Sequence, residues 1–215
     1  MQKSDMPGDN RKIYITIGRY GRGTYSEKRS DFIAEASHVE TEEEALSFLN
    51  GVRKKYPDAR HHVYAYLLKN NNIMRYSDDG EPQGTGGMPV LDLIRKTGFT
   101  DAVIVVTRYF GGILLGTGGL VHAYGTAAKL AVDDAGIKEY SLFNEYSFSV
   151  DYSFWQKLSY EIKTSGVKLD SVEYLDSVIV KVALPEEKSG AFINRVSELS
   201  AGRVEAVFTG TRFDV

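Results

Sequence analysis

One four-residue string occurs twice, as Gly84-Thr85-Gly86-Gly87 and, 32 residues later, as Gly116-Thr117-Gly118-Gly119, and each copy runs toward a stretch of helical spacing. Glycine admits positive φ, and consecutive free N–H groups at a helix start form a receptor for phosphate or carboxylate. Arg108 precedes the second copy by eight residues and stands beside Gly111 and Gly112. A guanidinium there can grip the same anion through two parallel hydrogen bonds. The candidate anion- or nucleic-acid-binding set is therefore Arg108, Gly111, Gly112, Gly116, Gly118, Gly84, Thr85 and His122, the last on the helix after the second string. Neither string is a P-loop, because no Lys follows the glycines, and neither has dinucleotide-binding spacing. The competing reading is packing: the glycines let helices approach a sheet, and Arg108 pairs with an internal carboxylate.

Asp78, Asp79 and Glu81 gather three carboxylates just before the first string, with His61 on the preceding strand. Together they make a weak metal or polar site, and Mg²⁺ beside a bound phosphate is the usual use of such a set. An acidic turn that caps the next helix or pairs with Arg108 is the simpler account. His61 and His62 are adjacent on a strand, so they face opposite sides and cannot share one metal. With no cysteine in the chain, thiolate zinc, disulfides and a Cys nucleophile are excluded. No Ser-His-Asp arrangement follows from residue order, so no catalytic residue is assigned. Neither a cofactor nor a tightly held metal is expected. Phosphate-like anions should bind weakly, and less so as salt rises.

These groups need a scaffold, and 215 residues with 42% apolar and 26% charged side chains are enough for one or two soluble domains. Net charge is −3, which excludes a globally basic nucleic-acid binder. Residues 1–138 carry 18 basic against 17 acidic side chains, and residues 139–215 carry 8 against 12. The first ten residues are polar and contain Pro7 and Gly8. No leader and no membrane-spanning run are read, so the expected place is the cytoplasm.

Residues 12–17 alternate as a strand does, and the glycine-rich 18–24 reads as a turn. A strand at 32–39 follows, then a helix opened by a Thr41/Glu44 capping box and carrying Ala45, Phe48, Leu49, Val52 and Tyr56 on one face. Strands are expected at 62–68 and 72–76, and a helix at 89–96. The continuously apolar 102–107 should be a strand covered on both faces. A helix at 119–135 presents Leu120, Ala123, Tyr124, Ala127 and Ala131 and stops at Gly136. Eleven of the 21 glycines lie between Gly80 and Gly125, after which the texture changes. The tail reads strand, helix, strand, strand, helix, strand, with Ser153 and Gln156 opening its first helix and Pro185 its second. That is the order of a ferredoxin-like domain. The fold class is α+β, with one domain over residues 1–138 and the other over 139–215. Trp155, Tyr152, Phe154 and Tyr160 lie at a strand end and in a helix without an RNA-binding sheet motif, so they read as packing.

The strings together resemble a known family. Arg108-Tyr109-Phe110-Gly111-Gly112, Leu115-Gly116, Gly118-Gly119-Leu120-Val121 and Ala123-Tyr124-Gly125 resemble the signature of the IMPACT family, in its bacterial YigZ-like branch. Ser77-Asp78-Asp79-Gly80-Glu81-Pro82 with Gly84-Thr85 fits a second block. Ala59, His61, Ala65 and Tyr66 fit a third, and Ser30, Phe32, Ile33 and Ala34 a fourth. The resemblance implies a first domain shaped like RNase PH and the second domain of a small-subunit ribosomal protein. It implies a second domain similar to one near the C-terminus of elongation factor G. Both point toward translation and RNA, although a shared fold does not carry an activity. Eukaryotic relatives add an N-terminal protein-binding domain for which this chain has no room. Two positions depart from the pattern: Gly86 replaces a more usual Ala, and His122 stands where Arg is expected. The second departure removes a permanent charge from the expected anion site.

Three readings follow. The first is a non-catalytic regulator of translation that contacts RNA, the ribosome or a translation factor. The second is an enzyme acting on a phosphorylated small molecule or a nucleic-acid end, and the third a pure protein-interaction module. An open, positively lined cleft at Arg108 supports the first two, and a buried, neutralised Arg108 supports the third.

Overall fold

The computed structural model describes residues 13–215. The chain divides into two compact units, Tyr14–Glu139 and a second built on Tyr140–Val215.

The elements of the first unit are β1 (Ile13–Ile17), β2 (Gly21–Glu27), β3 (Ser30–His38), α1 (Glu42–Lys55), β4 (His61–Leu68), β5 (Ile73–Ser77), α2 (Gly87–Thr97), β6 (Ala102–Tyr109) and α3 (Gly116–Ala135). A short 3-10 turn, Asn70–Asn72, links β4 to β5. Five strands form an antiparallel sheet in the order β2-β3-β6-β4-β5. Alternation along β6 explains its unbroken apolar run. Ala102, Ile104 and Val106 enter the core beneath α2 and α3, while Val103 and Val105 enter a second core beneath α1. Each such buried Val or Ile side chain contributes about 1.5–3 kcal/mol relative to exposure. Helix α1 opens as expected, with the Thr41 hydroxyl accepting from the Glu44 amide at 3.2 Å.

Residues 18–24 are not simply a turn, because β2 begins at Gly21 and pairs with β3 along its full length. A Cβ on Gly21 would lie 2.3 Å from the Ala131 carbonyl oxygen, and one on Gly23 would lie 2.5 Å from the Ala131 nitrogen. These glycines let α3 lie directly on β2, where its alanines meet bare backbone. The local signature of flexibility records a close tertiary approach. A second difference concerns α3, which begins at Gly116, three residues before its expected start. The second Gly-Thr-Gly-Gly string is therefore the first turn of a helix rather than a loop before one.

The second unit holds β7 (Ile137–Val150), α4 (Tyr152–Ser165), β8 (Lys168–Tyr174), β9 (Val178–Pro185), α5 (Glu186–Ser200) and β10 (Ala206–Asp214). Its strands run antiparallel in the order β10-β7-β9-β8. The β-α-β-β-α-β sequence order is thus realised as the split β-α-β arrangement. Phe148, Val180 and Val182 of the sheet pack against Phe154, Leu158, Phe192 and Val196 of the helices. The cap of α4 is Asp151, whose carboxylate accepts from the Phe154 amide at 2.7 Å, and not Ser153. Among the described residues, no helix is long and apolar enough to cross a membrane.

Candidate functional site

Glycines at helix starts were expected to hold an external anion, but the first string already holds one of the protein's own. The Asp78 carboxylate accepts from the amides of Gly84 at 2.8 Å, Gly86 at 2.9 Å and Gly87 at 2.8 Å. Those N–H groups surround a carboxylate at the entrance to α2, as the electrostatics of a helix N-terminus favour. Thr85 is buried, and its hydroxyl donates to the Pro82 carbonyl at 2.7 Å. Gly84 and Thr85 therefore leave the anion-binding set. Packing fixes Gly86 as well, since a Cβ there would lie 2.8 Å from Val63.

Asp79 turns elsewhere. Its carboxylate accepts from the His62 amide at 2.6 Å and pairs with Arg53 at 3.4 Å. Glu81 takes a third direction, accepting from Arg108 Nη1 and from the Tyr124 hydroxyl, each at 2.7 Å. The carboxylates thus serve three separate sets of partners. Among the described residues, no group of three or more His, Asp or Glu side chains converges to hold a metal ion. Asp78, Asp79, Glu81 and His61, expected as a weak metal or polar site, are thus spread over separate polar contacts and do not share one point.

Arg108 is neutralised inside the fold. Its side chain is 7% exposed and that of Glu81 is 4% exposed. The second guanidinium nitrogen reaches the Ser30 hydroxyl at 3.4 Å, and the guanidinium carbon Cζ lies 5.4 Å from the ring centres of both Phe32 and Phe110. Nε is buried with no partner among the described residues. Strand register explains the placement, since Phe32 and His61 are the direct neighbours of Arg108 on either side. Burial beside Glu81 pushes the Tyr124 phenol far above its ordinary range, so it stays a neutral donor to the carboxylate.

A cleft of about 360 Å³ opens on this pair. His61, Glu81, Pro82, Arg108 and Phe110 line it, with Leu114, Leu115, Gly116, Thr117 and Leu120 from the α3 end, and Arg60 at its border. His61 Nδ1 donates to the Asp79 carbonyl at 2.8 Å, because a carbonyl can only accept, which leaves Nε2 as the lone-pair nitrogen of the neutral ring. Gly116, Thr117 and Gly118 are exposed, and no side chain among the described residues caps the α3 terminus. The apolar rim is conspicuous: Phe110 is 49% exposed and Leu114 is 83% exposed.

Gly111 closes the site against a hairpin turn. A Cβ on it would lie 1.9 Å from the Arg29 carbonyl oxygen, and its amide donates to the Ser30 hydroxyl at 3.2 Å. That turn is Lys28-Arg29, between the paired residues Glu27 and Ser30, and both turn residues have positive φ, 46° and 65°. Such a turn ordinarily uses Asn-Gly. Gly112 takes φ +84°, which frees the chain to leave the sheet.

Of the expected set, Arg108, Gly111, Gly112 and Gly116 come together with His61 and Glu81, and Gly118 lies in the same first turn of α3. His122 does not join them. It packs edge-on against Tyr25 at 5.9 Å and lines a groove between α2 and α3 with Met88, Lys96 and Lys129. Sequence reasoning passed over Lys28, Arg29, Arg60 and Thr117. The only signal available was a cationic pair at a hairpin turn between two strands.

The chain is similar to known proteins over most of its length. Residues 28–132 match the Impact N-terminal domain, and residues 148–203 match a domain of unknown function. IMPACT family member YvyE of Bacillus subtilis is 35% identical over 191 residues, 88% of each chain. IMPACT family member YigZ of Escherichia coli is 34% identical over 181 residues, covering 83% of this chain and 89% of that one. Protein IMPACT of Xenopus laevis is 32% identical over 116 residues, 51% of this chain but 36% of that protein. A solved structure described as a hypothetical protein is 30% identical, with a TM-score of 0.59 over 93% of this chain and 98% of that one. The chain belongs to the IMPACT family, in its bacterial YigZ-like branch.

Proposed function

We propose that the chain is a non-catalytic regulator of translation that docks on the ribosome or its RNA through the edge formed by Lys28, Arg29 and Phe110. The observation that carries this reading is the Lys28-Arg29 turn, locked against Gly111 with two cationic residues at positive φ. Left-handed backbone in a non-glycine residue costs of order 1 kcal/mol or more, persists where the surrounding structure enforces it, and clusters at functional sites. Both side chains are exposed, as cations that meet phosphates must be. The flanking acids are occupied: Asp31 accepts from Ser26 at 2.6 Å, and Glu27 from Tyr25 at 3.4 Å. Beside the turn, Phe110 and Leu114 add apolar area of the kind that anchors an interface.

Sedimentation through a sucrose cushion with purified ribosomes tests this. The parent is expected in the pellet at low salt and released as salt rises. The double variant Lys28→Asn/Arg29→Gly keeps a turn of the preferred type and is expected in the supernatant. Equal pelleting of the two proteins overturns the reading. A second reading has its own support: with Glu81 neutralising Arg108, the guanidinium adds no net charge to draw an RNA backbone, while Phe110 and Leu114 stand exposed as anchors for a protein partner. Capture that survives RNase and depends on Leu114 moves the conclusion to a protein partner.

A further inference from the structure

We infer that the cleft between Arg60, His61 and the start of α3 binds a phosphate monoester carried on a nucleoside, either a free mononucleotide or the phosphorylated end of an RNA. The argument begins at the helix. Gly116, Thr117 and Gly118 give α3 a first turn whose amides have no acceptor within the helix, and no side chain among the described residues caps them. Twenty residues of aligned peptide dipoles stand behind that turn. With Gly116 and Gly118 flanking Thr117, little side-chain bulk keeps an anion from the amides, and nothing lies within 4 Å of a Cβ placed on either glycine.

An uncapped terminus alone is not a site, but two further features converge on this one. The Arg108 side chain is more than nine-tenths buried in the wall of the same cleft, and its Nε has no partner among the described residues. Glu81 balances only one positive charge, so Arg60 adds a net cation at the cleft border, exposed and without an ion pair among the described residues. His61 lines the same cleft, held in place by its hydrogen bond to the Asp79 carbonyl. Positive charge, free amides and a hydroxyl at Thr117 therefore meet at one end.

The rest of the cleft is apolar. Pro82, Leu114, Leu115 and Leu120 line it, and Phe110 stacks one side toward the Arg108 guanidinium while half its surface stays exposed. A half-exposed ring beside a phosphate-sized anion receptor suits a nucleobase, because every base presents a π face. The volume, about 360 Å³, lies at the small end of ligand clefts and admits one nucleotide rather than a duplex. Inorganic phosphate alone would leave the apolar part unused, and an apolar ligand would leave the amides unused.

This inference stands apart from ribosome docking, which is tested at Lys28 and Arg29. Calorimetry on the full chain uses AMP, adenosine, inorganic phosphate, and one short RNA bearing either a 5′-phosphate or a 5′-hydroxyl. AMP is expected to bind at least about tenfold more tightly than adenosine or inorganic phosphate, the loss that follows when charge-assisted hydrogen bonds go unmade. Tighter binding of the 5′-phosphorylated RNA than of AMP identifies an RNA end as the source, and the reverse identifies a free nucleotide. Two variants locate the site. Arg60→Ala removes an exposed cation, and Thr117→Glu places a carboxylate at the helix start, which favours the helix while occupying the receptor. Each is expected to reduce AMP affinity at least about tenfold with unfolding temperature unchanged or raised. Parent-like AMP binding in both variants, or equal binding of the phosphorylated and hydroxyl RNAs and of AMP and adenosine, overturns the inference.

Discussion

Arg108 and Glu81 meet at 2.7 Å with almost no solvent access, and the Tyr124 hydroxyl donates to the same carboxylate oxygen. A buried charge is tolerated only while it is paired, and removing one member exposes the fold to the other's desolvation. Glu81→Ala and Arg108→Ala should each lower unfolding free energy by about 3–5 kcal/mol. Glu81→Gln should cost less, since it keeps an acceptor for Tyr124 and loses only the charge. Urea denaturation checks the order, and a surface-like loss below about 1 kcal/mol for Arg108→Ala would contradict burial of the pair.

Asp78 plays the matching role at the other glycine string, where its carboxylate terminates three backbone amides. Asp78→Ala should strand those donors and cost about 2–4 kcal/mol, since each unmet buried donor carries its own penalty. The emptied nest retains the geometry of an anion receptor. Added phosphate or sulfate should therefore raise the unfolding temperature of Asp78→Ala more than that of the parent, beyond any general salt effect. Scanning fluorimetry against a chloride control reads the difference directly. Equal shifts in the two proteins would mean that the loop collapses once the carboxylate is gone.

His62 gives the first unit a pH dependence. Its ring is buried, Nε2–H donates to the Tyr56 carbonyl at 3.1 Å, and burial holds its pKa below the ordinary 6.5. The unfolded chain binds the proton more readily, so unfolding takes up protons in the window below pH 6.5. The stability associated with neutral His62 is complete above that value and declines as pH falls toward the folded pKa. His62→Gln keeps a donor for Tyr56 and cannot titrate. Its stability should therefore fall less than the parent's between pH 7 and pH 5, compared in the same buffer series.

Most elements were legible because their periodicities are local: α1 carries its own cap, β6 its own apolar run, and the tail its own β-α-β-β-α-β order. The site was legible in part. Arg108, Glu81 and His61 meet because strand register and the Asp78–Gly84 turn bring distant residues together, and residue types alone could name them without giving their partners. What escaped was whatever depends on the third dimension. Gly21 and Gly23 look like a loop until α3 lies against them, and Asp78 looks like a metal ligand until the loop amides close on it. His122 illustrates the opposite error, because proximity in sequence to the α3 terminus placed it near Arg108, whereas its helical phase turns it toward Tyr25. The cationic turn escaped because no sequence rule anticipates Lys-Arg where Asn-Gly is preferred.

That turn supports the last expectation, in which stability and binding should move in opposite directions. Lys28 and Arg29 both occupy left-handed backbone at a two-residue hairpin loop. Asn-Gly relieves both strains, so Lys28→Asn/Arg29→Gly should raise unfolding free energy by about 1 kcal/mol. The same change deletes two cations from the edge that also presents Phe110. If each cation neutralises one phosphate, affinity for a short single-stranded RNA should fall, and the slope of log affinity against log salt should flatten by roughly 1.4. Fluorescence anisotropy across a salt series, beside thermal melts, measures both. A variant that is more stable and binds RNA with the parent's slope would show that the strain serves something other than phosphate contact. A variant that loses stability would mean that the long side chains pack on the Gly111 segment, and that the turn is structural.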